Sequence, residues 1–194
     1  MTLDIQPLNE DRWPDLETIF HAKGCSIARG CWCMYYRRSG KAPTLQPDES
    51  QSSRNRADLY ALASGEVPPG LLGYRNGVPV GWVSLGPREG FSKLARSTVM
   101  KPVDQLPVWS IICFVVPSQY RGQGVARQLL TGAIEYSKAQ GVQLLEAYPV
   151  DLSETPEAES LWFGTKTMYD RTGFHEVARR KPGRPVLRLK LVDS

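Results

Sequence analysis

The segment Val115-Val116-Pro117-Ser118-Gln119-Tyr120-Arg121-Gly122-Gln123-Gly124-Val125-Ala126 has the residue types and spacing that point most directly to chemistry. An apolar run ends at a proline, a short turn follows, and a helical pattern opens among glycines. The first turn of a helix offers unpaired backbone N–H groups and a partial positive charge. Glycines let a ligand approach that backbone closely, and Arg121 adds a cation. Together they suit a phosphate or pyrophosphate. The plainer reading is a turn that only links strand to helix. Spacing excludes two other phosphate loops. The Gly-x4-Gly-Lys-Ser/Thr of a P-loop is absent, and Arg127 stands where a dinucleotide fingerprint needs its third glycine.

The elements that must position this turn are readable around it. Trp109 to Val116 is apolar on both faces, as a buried central strand is. Gly122 to Gln140 reads as a helix, with Val125, Ala126, Leu129, Leu130, Ala133 and Ile134 at helical spacing and Gly141 as the stop. Upstream, Leu3 to Leu8 reads as a strand and Asp11 to Phe20 as a helix. His21 to Arg38 is irregular, Ser39 to Ser53 a polar surface loop, and Arg54 to Ser64 a helix. Leu71 to Arg75 and Val78 to Leu85 flank Asn76-Gly77, which supplies the positive φ angles of a tight hairpin. Downstream come a strand at Val142 to Ala147, a helix at Ala158 to Arg171, and strands at Phe174 to Ala178 and Pro185 to Leu191. In the last strand Leu187, Leu189 and Leu191 alternate with Arg188 and Lys190, which predicts one face in and one out. This order gives an α/β fold, a mixed sheet with helices packed on it.

The whole composition fits one globular domain over residues 1–194. It has 41% hydrophobic and 23% charged residues, enough apolar material for a real core. A net charge of +4 is too weak to argue for nucleic-acid binding. The longest apolar run, Ile111 to Val116, falls far short of the ~20 residues of a membrane span. Met1 to Glu10 carries acids and no apolar signal core, so a cytoplasmic location is expected. The basic residues Arg179, Arg180, Lys181, Arg184, Arg188 and Lys190 read as a solvated strand face and turn, or as a patch for an anionic ligand.

With Gln119-x-x-Gly122-x-Gly124 opening a helix after a strand, and Tyr169-x-x-x-Gly173-Phe174 ending a later one, the chain resembles the GNAT superfamily of acyl-CoA-dependent N-acetyltransferases. The resemblance runs from Leu3 to Leu191 and implies a central, mostly antiparallel sheet flanked by helices. It implies acetyl-CoA as acyl donor, with the backbone of Phe114, Val115 and Val116 pairing with the pantetheine arm. Gln119 belongs to the same signature. The N–H groups of Arg121, Gly122, Gln123, Gly124, Val125 and Ala126 would hold the pyrophosphate. It implies direct attack by a primary amine of a small molecule or protein, with Tyr169 protonating the departing thiolate. A core aromatic on an apolar helix stripe is the other reading of Tyr169. The sequence departs from the family where many members carry Asn and Ala ahead of the tyrosine, since Trp162 and Thr165 stand there. A non-catalytic acyl-CoA-binding or sensing module is the alternative function.

The attacking amine must lose a proton. Glu146, in the strand beside the implied cofactor cleft, is the best carboxylate for this, against a surface-facing role. Cys113 lies in an apolar run and reads as a small buried hydrophobe, not an acyl carrier. Trp32, Tyr35, Tyr36 and Arg37 line the acceptor pocket if the resemblance holds, or form a satellite core. His21, Cys25, Cys31 and Cys33 are possible zinc ligands, but Cys31-x-Cys33 is tighter than structural zinc spacing, so packed thiols and no metal are expected. Pro87 to Val108 is an insertion, either a rim at the acceptor site or a surface loop. The terminal strand pair could support a homodimer.

Overall fold

The computed structural model describes residues 2–38, 45, 48–156 and 161–191. Seven strands form one sheet: β1 (Asp4–Pro7), β2 (Gly70–Arg75), β3 (Val78–Pro87), β4 (Trp109–Val115), β5 (Leu144–Ala147), β6 (His175–Arg179) and β7 (Pro185–Lys190). Their order across it is β1-β2-β3-β4-β5-β7-β6. Only β4 and β5 pair in parallel. The fold is thus mixed α/β, with a mostly antiparallel sheet flanked by helices. In the hairpin turn Asn76 and Gly77 both have positive φ, 51° and 77°, as the Asn-Gly pair predicts.

The helices are α1 (Trp13–His21), α2 (Ser26–Cys31), α3 (Gln51–Ala63), α4 (Val125–Ala139) and α5 (Lys166–Asp170). The apolar stripe of α4 buries Val125, Leu129, Leu130, Ala133 and Ile134 against Leu71, Val83, Ile111, Leu145 and Leu187. A Cβ on Gly81 would lie 2.8 Å from Val125 Cγ1 and 2.9 Å from Leu129 Cδ1, so that close approach needs glycine. On the opposite face α1 buries Trp13, Leu16, Ile19 and Phe20 with Trp32, Leu59, Leu72 and Trp82. Leu71/Leu72 and Trp82/Val83 divide between the two layers as strand alternation requires.

Several boundaries differ from the sequence reading for local reasons. α3 begins three residues earlier than Arg54, because Ser50 and Ser53 cap each other's backbone N–H reciprocally. α4 begins at Val125, not Gly122, since Gly122 and Gly124 take left-handed φ angles of 72° and 76°. The helix expected over Ala158 to Arg171 is α5 plus a single 3-10 turn at Leu161–Phe163, broken at Gly164 with φ 78°; residues 157–160 lie outside the described residues. Most of the Ser39 to Ser53 loop also lies outside them.

The 87–108 insertion forms a third apolar cluster. Phe91, Leu94 and Met100 pack with Ile112, Tyr148, Phe163 and Val186. The outer face of β7 is therefore covered as far as Arg188, which corrects the expectation that this residue is solvated, while Lys190 and Lys181 remain exposed. Arg188 is buried and bonds both Asp104 oxygens, at 2.6 and 2.9 Å. Arg180 donates to the carbonyls of Val99, Lys101 and Pro102, and Arg88 to those of Asp104 and Leu106. Arg179 pairs with Asp151, Glu154 and Glu176.

The Arg188 hydrogen bonds hold the Asp104 carboxyl down at about 2. Its unfolded value is about 3.9. A depressed carboxyl stabilises the fold above its unfolded pKa and loses that contribution as pH falls through the folded one. The stability gap between wild type and Asp104→Asn should be full above pH ~4 and close toward pH ~2. Urea denaturation between pH 2 and 6 checks this; a gap constant with pH would show that the carboxylate charge contributes nothing.

Candidate active site

The parallel pairing of β4 with β5 comprises Trp109↔Leu145, Ser110↔Glu146 and Ile111↔Ala147, and there it stops. β4 continues to Val115, paired on its other side with β3 through Val83↔Phe114 and Trp82↔Val115. A register shift between Ser84 and Leu85 bends the sheet at this point. β5 turns away instead: the Val150 N–H donates to Gly164 O (3.0 Å) and the Lys166 N–H to Val150 O (2.8 Å), tying it to the start of α5. The β5-side edge of Ile112 to Val116 thus faces a wedge between diverging strands. An extended chain can hydrogen-bond to such an edge.

The wedge leads to the glycine turn. After a 3-10 turn at Ser118–Tyr120 the Arg121 N–H is used locally, donating to Ser118 O at 3.3 Å. The Arg121 N–H is therefore not free for a ligand, which narrows the sequence expectation. From Gly122 through Arg127, no backbone N–H has a backbone acceptor among the described residues. Six consecutive donors at the partly positive N-terminus of a long helix suit a pyrophosphate. The Arg121 guanidinium instead ties the turn to the α1–α2 connection, donating to Val116 O (2.9 Å) and Gly24 O (2.7 Å). Gln123 accepts from Arg75 Nη1 (2.6 Å) and donates to Gln119 O (2.7 Å), which pins the turn from the other side.

Tyr169 lies at the C-terminal end of α5, enclosed by Phe114 and Phe174, with no solvent contact. Its hydroxyl donates to Phe163 O at 3.1 Å. Burial raises its pKa, so the phenol is protonated at neutral pH. Glu146 is also fully enclosed, contrary to the surface-facing reading. One carboxylate oxygen accepts from Arg188 Nε at 2.8 Å, the other from the Tyr148 hydroxyl at 2.6 Å, with Arg88 3.7 Å away. That pairing occupies it in the core beside the wedge.

The four acceptor-side residues part company. Trp32 is core: it stacks on Trp13 (5.8 Å), packs on Phe20 and donates its indole N–H to Ser52. Arg37 is half-buried, holding Pro69 O at 2.9 Å and stacking on Phe91 (4.1 Å). Burial brings its pKa down to about 10. Tyr35 is exposed, with the Lys93 ammonium already over its ring at 3.3 Å. Tyr36 meets Phe163 edge-on at 5.5 Å and packs against the same apolar cluster as Cys113. Burial pushes its hydroxyl up to about 12. The turn that sorts them is unusual: Trp32 and Cys33 both take left-handed φ angles, 48° and 53°. Phe163, Tyr148 and Arg184 complete this wall; Phe163 and Tyr148 were not singled out from sequence, and Arg184 was named only as one of the basic residues near the last strand. The apolar stripe of the second motif helix was the available signal for Phe163; the run of basic residues marked Arg184 without setting it apart from its neighbours.

All four cysteines are free, and Cys25, Cys31 and Cys33 have raised pKa values. Their thiols are protonated, which fits packing. Cys113 is half-buried, more open than its apolar run suggests. Among the described residues, no group of three or more His, Cys, Asp or Glu side chains could hold a metal ion. No helix of the described residues is long and apolar enough to cross a membrane.

A splayed parallel strand pair leading into a glycine turn with free N–H groups can take an extended arm that ends in a diphosphate. The family model for the acetyltransferase (GNAT) family matches residues 32–162, and the chain belongs to that family. No curated protein sequence matches it. Among solved structures it is similar to PaiA N-acetyltransferase from Thermoplasma acidophilum in complex with coenzyme A (14% identity, 98% of this chain and 100% of that one, TM-score 0.53). It is similar to ribosomal-protein-alanine N-acetyltransferase from Brucella melitensis (20%, 97% and 100%, TM-score 0.54) and to an agmatine N-acetyltransferase mutant (12%, 98% and 100%, TM-score 0.57). These likenesses concern the fold.

Proposed function

We propose that the protein transfers an acetyl group from acetyl-CoA to a primary amine of a small molecule or protein. The observation that carries this reading is the run of unpaired N–H groups from Gly122 to Arg127, beside the free edge of Ile112 to Val116. The first would hold the pyrophosphate, the second the pantetheine amides. This places the thioester in the wedge, near Cys113 and Tyr36. The neutral amine nitrogen attacks the acetyl carbonyl carbon, the C–S bond breaks, and the thiolate takes up a proton. Tyr169 is the donor in this reading. Its buried, protonated hydroxyl turns from the Phe163 carbonyl to the sulfur as negative charge develops there. With both its oxygens engaged, Glu146 is a positioning residue, and the amine's proton passes to water. The four free thiols fit a reducing cytoplasm.

Titrating acetyl-CoA calorimetrically, then screening amines for CoA release, tests the reading. Absence of acetyl-CoA binding would remove its basis. Tyr169→Phe should lower kcat about 10²-fold with little change in acetyl-CoA affinity. An unchanged kcat would leave Tyr169 as a core aromatic only.

A further inference from the structure

Three of the arginines near β7 are fully engaged, while Lys181 and Lys190 are exposed. Arg179 and Arg188 have carboxylates, and Arg180 has three carbonyls of the insertion. Arg184 is different. Its guanidinium lies 4.5 Å above the Phe163 ring, which also meets Tyr36 and Trp162. Its polar neighbours are weak: Tyr148 O at 3.4 Å and the Met100 sulfur at 3.9 Å. Its Nε is shut off from solvent and has no hydrogen-bond partner. Among the described residues no carboxylate pairs with it. Tyr148 directly follows the last residue of β5 paired to β4, so Arg184 stands at the mouth of the wedge.

We propose that Arg184 binds a carboxylate carried by the acceptor, so that the substrate is an amine bearing an anionic carboxylate. This rests on the acetyl-transfer reading and specifies its acceptor. A half-buried guanidinium without a counter-ion is unfavourable, and a planar carboxylate completes its fork of donors. Burial lowers the pKa of Arg184. Charge around the site points the same way. Lys93 sits on Tyr35, and Arg37 lies behind Tyr36 holding only carbonyls and a hydroxyl. A diamine would bring a second positive charge to this cationic wall. An aminocarboxylate brings a negative charge to Arg184 and presents its amine to the wedge.

The test compares aminocarboxylates, from glycine to 6-aminohexanoate, with the alkylamines that lack their carboxylate. Each is titrated calorimetrically into the protein with and without CoA. At least one aminocarboxylate should bind wild type ten times or more tightly than its partner amine. Arg184→Gln should abolish that preference, and Arg184→Lys should retain part of it. If the Gln variant does not fold, the Lys variant decides, since it must lower the preference. The proposal is overturned if wild type shows no preference, or if the preference survives in the folded Gln variant or is undiminished in the Lys variant. CoA binding measured in the same cell reports separately on the acetyl-transfer reading. A peptide with the same acid beside its amine separates a protein acceptor from a small one, since it should match the free aminocarboxylate only if the site admits a chain.

Discussion

Gly122→Asp should weaken acetyl-CoA binding at least a hundredfold while leaving the melting temperature within a few degrees of wild type. Gly122 has φ 72°, and a Cβ there meets nothing within 4 Å. Aspartate tolerates left-handed backbone better than most residues, so the cost to the fold is about 1 kcal/mol. Its carboxylate would occupy the donors from Gly122 to Arg127 and repel the incoming pyrophosphate. Two charge-assisted hydrogen bonds lost, at about 1.5–3 kcal/mol each, already exceed a hundredfold in affinity. Arg121→Glu is a less clean probe, because it also removes the ties to Val116 O and Gly24 O that hold the turn. Calorimetric titration paired with a thermal melt checks this. Near-wild-type affinity in Gly122→Asp would show that the turn does not receive the diphosphate.

Glu146→Ala should cost about 3–5 kcal/mol of stability, the loss expected when one member of a buried ion pair is removed. Arg188 would keep Asp104 but lose its buried partner, and the Tyr148 hydroxyl would lose its acceptor. The measurement is urea denaturation with the rate determined on the folded fraction. Glu146→Gln separates structure from catalysis. It keeps an acceptor for Tyr148 but removes the charge facing Arg188, so stability should fall while kcat per folded molecule stays within a few-fold. A stable Gln variant that loses its rate and the basic limb of its pH profile would make Glu146 the base after all.

The parts of this molecule written in contiguous residues were legible from sequence. The Asn76-Gly77 hairpin, the amphipathic face of α4 and the turn from Gln119 to Ala126 each depend on neighbours along the chain. The helix start was misplaced by three residues because the glycines that suit an anion also hold the backbone outside helical angles. What sequence alone did not resolve depends on long-range cover. Arg188 alternates with leucines as an outward-facing residue does, yet the insertion roofs that face and Asp104 meets it from 84 residues away. Glu146 was paired from 42 residues away. In the irregular stretch His21 to Arg38 no periodicity says which aromatic faces which layer. The left-handed pair Trp32–Cys33 decides it, sending Trp32 to the α1 side and Tyr36 to Phe163.

Among the described residues, the three rungs joining β4 to β5 are the only strand pairing between the leaf β1–β4 and the leaf β5–β7. A pantetheine arm laid along the free edge would act as a splint across that seam, adding hydrogen bonds where the polypeptide leaves them out. The acyl donor is then a structural member as well as a reagent: its saturation contributes RT ln(1 + [L]/Kd) to stability. In a cell the loaded protein would be the stiffer and longer-lived form, and its abundance would track the supply of the donor it consumes.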